Sequence, residues 1–380
     1  MEKKIGNVLF LTNVPSPYRV RFFDELGKYC NLTVLYQKKA SSERNEKWVE
    51  KEEGHYRSVF LTGISTGVDN AFCPSVVRYL NKTFDHIIIC GISSPTEIFA
   101  ILWCQFRGIP YYIEGDGAFV NDGNTIKGKL LSILKKALIK PSIINFSTCI
   151  EHDKYYLCYG SHKSRIARYR FSSISSNEIL KNPIDLTSKQ NLRNKLGVTE
   201  KKIVLYVGQF IPRKGLDILL HAATHFKNQS VGFYLIGSDV PREYLLLKAE
   251  LGLDNVYFES FKTKDELKEY YLMSDVFVLP TREDIWGLVV NEAMANGLPV
   301  VTTDRCNAGL ELIKDGKNGY IVSVENSTSL AKAIKHILAS EGMGFAALEV
   351  IRDYTIETMV EDHIRILKKH EEKINGDECI

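Results

Sequence analysis

The stretch LPTREDIWGLVVNEAMANGLPVVTT, residues 279–303, carries two carboxylates, Asp284 and Glu292, with Gly287 between them. An apolar run ends at Pro280, a polar loop follows, and a helical pattern begins near Leu288 and closes at Gly297 before the next apolar run. A helix starting there presents free backbone N–H groups and a partial positive charge, and a glycine at its mouth lets a bulky anion approach the chain closely. Such a site suits a diphosphate. Carboxylates beside it suit the hydroxyls of a sugar or a ribose. Glu283 takes the place of Asp284 if the loop shifts by one residue, although counting from Pro280 favours Asp284. Singly, Asp284 reads as a helix cap and Gly297 as a helix end; the combination points to a ligand.

A second segment, YVGQFIPRKGLDILLHA, residues 206–222, places a strand end at Gly208 and a helix start near Gly215. Lys214 stands where a cation can neutralise diphosphate charge. Arg213 beside it reads equally as a second cation or as solvated surface.

In the first half, TNVPSPYRVRFF, residues 12–23, follows an apolar run and opens a helix with proline. Ser16, Pro17 and Tyr18 are candidates for an acceptor pocket, the alternative being a rigid turn with a proline-led helix. EGDGAF, residues 114–119, puts Asp116 and Gly117 at another strand end, where Asp116 orients a hydroxyl or caps the loop. Over 126–140, Ile126, Leu130, Ile133, Leu134, Ala137 and Leu138 share a helical face flanked by Lys127, Lys129, Lys135, Lys136 and Lys140. This basic amphipathic helix suits an anionic membrane surface or, equally, ordinary core packing. The run Glu151, His152, Asp153 spreads over different faces and is expected at the solvated surface.

Positioning these groups requires two sets of βα units. Short apolar runs at 8–11, 32–36, 86–90 and 111–113 alternate with helical patterns, and the rhythm resumes at 203–207, 233–236, 256–258, 276–279 and 299–302 after a polar stretch holding Pro183. The expectation is an α/β chain of two doubly wound, Rossmann-like parallel-sheet domains facing a cleft, residues 1–182 and 183–345, with a helical segment 346–380 returning to the first. Length and composition, 380 residues of which 44% are hydrophobic and 25% charged, support two cores. A net charge of +3 argues against a nucleic-acid coat. Eight scattered cysteines without a CxxC pair read as reduced thiols, and no eighteen-residue apolar run spans a bilayer. The opening MEKKIGNVLFLTN reads as a first strand rather than a signal peptide.

The pattern in 279–303 resembles glycosyltransferase family 4, the glycosyl transferases group 1 of GT-B fold and bacterial polysaccharide type. Gly287, Leu288, Glu292, Ala293, Met294, Gly297 and Pro299 match its signature. Thr281, Asp284, Ile285 and Trp286 depart from it, and Gln209 stands where the family carries an arginine before Lys214 and Gly215. The resemblance implies retaining, metal-independent sugar transfer from a nucleotide diphosphate sugar, UDP favoured, to a lipid-linked or oligosaccharide acceptor in cell-surface polysaccharide synthesis, with no cofactor. It implies Lys214, Asp284 and Glu292 as catalytic residues; Asp116, near the place where many members carry a histidine that this chain lacks, is a fourth catalytic candidate on the reading of its own loop. Gly208, Gln209, Arg213, Glu283, Trp286, Gly287 and Leu288 would bind the donor, and Ser16, Pro17, Tyr18 and Gly117 the acceptor. A cytoplasmic protein, peripheral on the inner membrane face, follows. The alternatives are a catalytically silent nucleotide-sugar or glycan-binding subunit, suggested by Gln209 and Asp284, and a sugar-nucleotide epimerase of the same fold.

Overall fold

The computed structural model describes residues 5–39, 54–120 and 125–377, with side chains as far as residue 370. The chain forms two compact units, residues 1–172 with 355–380, and residues 173–354. The first unit therefore ends at Ser172 rather than at residue 182, and the second runs to Tyr354 rather than to 345. Local bonding accounts for both: the Leu180 N–H donates to the Ala295 carbonyl, and the Arg352 guanidinium to the Lys181 carbonyl, so these segments are held within the second unit.

The first unit is built on β1 (Ile5–Thr12), β2 (Cys30–Tyr36), β3 (Arg57–Phe60), a small hairpin of β4 (Ile64–Ser65) and β5 (Ala71–Phe72), β6 (His86–Cys90), β7 (Tyr112–Glu114), β8 (Asn145–Ser147) and β9 (Ile166–Arg168). Seven of these form a parallel sheet in the order β3-β2-β1-β6-β7-β8-β9. Helices α1 (Pro17–Gly27), α2 (Pro95–Arg107), α3 (Ile126–Ile139) and α4 (Ile150–Cys158) connect them. β1 is apolar and buried without a break from Val8 to Leu11, because a parallel sheet is covered on both faces. Leu9 and Leu11 join the cluster with Ile87, Ile89 and Ile101, whereas Phe10 meets Phe22 and Phe23 of α1 at 6.0 and 5.1 Å. Each such ring, fully buried, contributes roughly 1.5–3 kcal/mol. α2 begins with a capping box between Ser94 and Glu97 and a proline at its first position, and it ends at the left-handed Gly108.

The second unit starts with α5 (Leu186–Lys195) and continues through β10 (Lys202–Val207), α6 (Leu216–Ala223), β11 (Val231–Ile236), α7 (Arg242–Glu250), β12 (Val256–Glu259), α8 (Lys264–Met273), β13 (Val276–Leu279), α9 (Leu288–Ala295), β14 (Val300–Thr303), α10 (Asn307–Leu312), β15 (Gly319–Val322), α11 (Ser327–Leu338) and α12 (Met343–Ile351). Its parallel sheet runs β12-β11-β10-β13-β14-β15. The strand order reverses between β10 and β13, and the loops that follow those two strands flank the point where doubly wound sheets take ligands.

The last helix, α13 (Ile356–Asp377), returns to the first unit. Its Asp362 accepts from the Arg170 backbone N–H and guanidinium at 2.9 and 2.8 Å. Among the described residues no helix is long and apolar enough to cross a membrane. Among the described residues seven cysteines form no disulfide, five of them being buried; Cys379 lies outside the described residues.

Candidate functional site

In the second unit, the loops after β10 and β13 lock together backbone to backbone. Gly215 adopts φ 68°, and a Cβ there would stand 2.0 Å from the Pro280 carbonyl oxygen, so only glycine permits the approach. The Thr281 hydroxyl and the Arg282 N–H both donate to the Arg213 carbonyl, at 3.0 and 2.8 Å. Arg282 itself is bidentate to Asp217 at 2.9 and 2.7 Å, fastening the second loop to α6.

This frame brings Lys214 and Asp284 together. The Lys214 ammonium donates to Asp284 Oδ2 directly across the strand-order reversal, and the two side chains are only 13% and 11% exposed. Asp284 is held from behind: its N–H donates to the Arg305 carbonyl at 2.8 Å and its carbonyl accepts from the Asn307 N–H at 3.3 Å. The Ala308 N–H donates to the Trp286 carbonyl at 2.8 Å. Residues 284–286 are thus stitched to the segment between β14 and α10. Gly287 then turns into α9 with φ 102°, where a Cβ would stand 2.9 Å from Cys306 Sγ.

The remaining sequence candidates divide by burial. Glu283 pairs with Arg305 at 2.6 Å, and its carbonyl accepts from the exposed Arg213 at 2.8 Å. Glu292, half-buried on α9, accepts from the Tyr271 hydroxyl at 3.0 Å. Burial, with the Glu292 charge second, pushes the Tyr271 phenol far above its ordinary range, so it stays a donor. Leu288 is half-buried, Gln209 is exposed, and the Gly208 N–H is committed to the Ile236 carbonyl. Trp286 requires a correction: its ring is 2% exposed and its indole N–H donates to Asn291 at 2.8 Å. The ring braces the loop from inside and offers no face to a donor.

In the first unit, the loop and helix after β1 meet the end of β7. Tyr18 donates to Asp116 Oδ2 at 2.5 Å, and Arg19 donates to Asp116 Oδ1 at 2.6 Å and to Glu114 Oε1 at 2.5 Å. Burial works against the Glu114 charge, but Arg19 and then His363 outweigh it and hold the carboxyl at about 2. Tyr18 is pushed far up, first by burial and then by the Asp116 charge. Ser16 is buried, caps α1 without a side-chain bond, and precedes Pro17 at the first helical position; Gly117 takes φ 143°. Arg19 was not among the candidates. Its sequence signal was a charge inside an otherwise apolar helix face, between Val20 and Phe22 on one side and the proline-led start on the other. Arg305 has no comparable signal, because only the fold carries it to Glu283.

Two further expectations meet the structure. His152 is buried rather than solvated, lying 4.4 Å from the Tyr156 ring centroid, and burial drops its imidazole to about 3. Only Glu151 and Asp153 reach solvent-side partners, Lys154 at 2.6 Å and Arg168 at 2.7 Å. On α3, Leu138 and Ile139 are buried, whereas Ile126, Leu130 and Ile133 are 81%, 63% and 65% exposed. The apolar face that suited a membrane surface and core packing equally is therefore open along its first half and packed only at its end.

Residues 188–356 match the family model described as Glycosyl transferases group 1. Spore coat protein SA of Bacillus subtilis (strain 168) is 34% identical over 165 residues, covering 40% of this chain and 44% of that protein. Lipopolysaccharide core biosynthesis glycosyltransferase LpsE of Rhizobium meliloti (strain 1021) is 27% identical over 172 residues, 43% of this chain and 49% of that one. The chain spans less than half the length of the first curated relatives it matches. The solved structure of Anabaena Alr3699/HepE in complex with UDP superposes with a TM-score of 0.75 at 16% identity, covering 97% of this chain and 100% of that one. At that identity the likeness establishes the fold, GT-B, with two Rossmann-like parallel-sheet domains.

Proposed function

We propose that this chain, whose residues 188–356 belong to the glycosyl transferases group 1 family, moves a sugar from a nucleotide diphosphate sugar to a hydroxyl of a lipid-linked or oligosaccharide acceptor in cell-surface polysaccharide synthesis. The observation that carries the reading is the Lys214–Asp284 pair at the strand-order reversal, beside the glycine-led start of α9. On donor binding, the diphosphate competes with Asp284 for Lys214, and the first N–H groups of α9 take phosphate oxygens. Asp284 and Glu292 then accept from donor hydroxyls, with Glu283 in reserve. Gly208, Gln209, Arg213 and Leu288 line the donor, and Trp286 supports it from within.

In the transfer step, the acceptor oxygen bonds to the anomeric carbon as the bond to the β-phosphate oxygen breaks. The acceptor proton leaves on the same face with the departing diphosphate, so configuration is retained and no metal is called for. Asp116 orients the acceptor, with Ser16, Pro17, Tyr18 and Gly117 shaping its surroundings. A uridine donor is favoured by the likeness to HepE, which was solved with UDP. The LpsE resemblance favours a polysaccharide product. The open apolar start of α3, flanked by Lys127, Lys129 and Lys136, fits an anionic membrane surface on the cytoplasmic side, each lysine near that surface contributing about 1 kcal/mol, while Lys135 is turned onto the Tyr155 and Tyr159 rings.

The test is incubation with a panel of UDP- and GDP-sugars, with and without polyprenyl-diphosphate-linked acceptors, following nucleotide release. Release that rises with acceptor is expected. Donor binding without any release would instead favour a silent nucleotide-sugar-binding subunit, the reading suggested by the uncharged Gln209, and neither binding nor release would sink both.

A further inference from the structure

We infer that His363, on the returning helix α13, is a positioning residue for the acceptor side of the first unit, acting on Asp116 through Glu114 and Arg19. The inference rests on the reading above for one point only, that Asp116 meets the acceptor.

His363 is completely buried, packed against Phe22, Phe146 and Tyr169 at ring distances of 4.7, 4.9 and 4.6 Å. Its Nδ1 lies 2.8 Å from the Met359 carbonyl, an acceptor only, so that nitrogen carries a proton. The other nitrogen, Nε2, faces Glu114 Oε2 at 3.5 Å. Neither of these two buried atoms has a closer hydrogen-bond partner. Two facing acceptors in an apolar interior are costly, and a proton between them satisfies both at once. The geometry thus favours a direct His363–Glu114 contact that fixes the rotation of the carboxylate.

That rotation matters because Glu114 has no freedom at its other oxygen. Oε1 takes the Arg19 guanidinium at 2.5 Å and the Tyr169 hydroxyl at 3.3 Å. Arg19 has a planar fork, so the nitrogen it gives to Glu114 sets the direction of the one it gives to Asp116. Along this line burial falls away only at the end. His363 and Glu114 are 0% exposed and Arg19 is 4%, whereas the Asp116 side chain is 28% exposed. Asp116 is the exposed tip of a buried polar chain anchored on α13. Of the polar groups facing the Glu114 carboxylate, Arg19 comes from α1, Tyr169 from the segment after β9 and His363 from α13. A helix more than two hundred residues downstream in sequence completes the acceptor side.

The experiment compares wild type with His363→Phe, which keeps an apolar ring among Phe22, Phe146 and Tyr169, and with His363→Gln, whose amide can again donate to Glu114. Transfer to the acceptor and acceptor-free donor hydrolysis are measured side by side, together with amide hydrogen exchange of residues 115–117. In His363→Phe, transfer efficiency should fall about 10- to 100-fold through a raised acceptor KM. Donor hydrolysis should change far less, and exchange at 115–117 should accelerate about 10-fold or more. His363→Gln should recover most of both. A purely structural role predicts instead that transfer and hydrolysis fall together and that Gln rescues neither. Unchanged exchange at 115–117 in His363→Phe overturns the inference whether or not the chain turns over any donor. Faster exchange with no wild-type nucleotide release would leave the relay standing and remove the transferase reading alone.

Discussion

Replacing Lys214 by methionine keeps the length of the side chain and removes the charge facing Asp284. Both partners are about one-tenth exposed, so the pair lies near the buried limit. Removing one member of a buried pair costs roughly 3–5 kcal/mol, because the other is left uncompensated, and this slight exposure places the effect at the lower end, about 3 kcal/mol. The second unit runs from residue 173 to 354. For a domain of that size, about 3 kcal/mol corresponds to a fall in Tm of roughly 6–12 °C. If Lys214 also stabilises the leaving diphosphate, nucleotide release at a temperature where the variant is folded should drop about 100- to 1000-fold. The two effects separate in the double variant Lys214→Met/Asp284→Asn. Neutralising Asp284 removes the stranded charge, so Tm should return to within a few degrees of wild type, while turnover stays low. Calorimetry for Tm and a coupled assay for released nucleotide give both numbers on the same samples. Turnover that recovers together with Tm would refute the reasoning, since Lys214 would then act only as a brace for the loop.

Gly287→Ala should lower stability by about 1–3 kcal/mol and weaken donor binding, because φ 102° and the 2.9 Å approach to Cys306 both resist a Cβ; thermal unfolding and donor titration check this. Acid should destabilise the first unit in two stages. His152 is depressed from its ordinary 6.5 to about 3, so its contribution is complete above pH 6.5 and declines as pH falls below that. Glu114 is depressed from 4.5 to about 2 and adds a second loss below pH 4.5. Urea unfolding at pH 7, 5.5 and 4 should show this, and His152→Phe should flatten the limb between pH 6.5 and 4.5. A triple change of Ile126, Leu130 and Ile133 to serine should leave Tm nearly unchanged, since all three are exposed, yet reduce co-sedimentation with vesicles containing anionic lipid. Undiminished sedimentation would remove the membrane role of α3.

Much of this protein was legible in local sequence because its causes are local. Apolar runs of four to six residues bounded by polar turns gave strands at His86–Cys90 and Val276–Leu279, and the glycine before Leu288 with its apolar successors gave α9. The spacing of Lys214, Asp284 and Glu292 against those strand ends was enough to place all three on the loops and helix of one sheet. Through-space compensation was not legible. That Lys214 rests on Asp284 itself, that Arg305 engages Glu283, and that Trp286 turns inward to Asn291 depend on where separate loops pack. His152 was expected at the surface because a single short helix cannot reveal which side the sheet covers. The chain from His363 through Glu114 and Arg19 to Asp116 joins residues from α13, β7 and α1. A buried charge takes its partner from whichever element packs beside it, and that is decided by the tertiary structure alone.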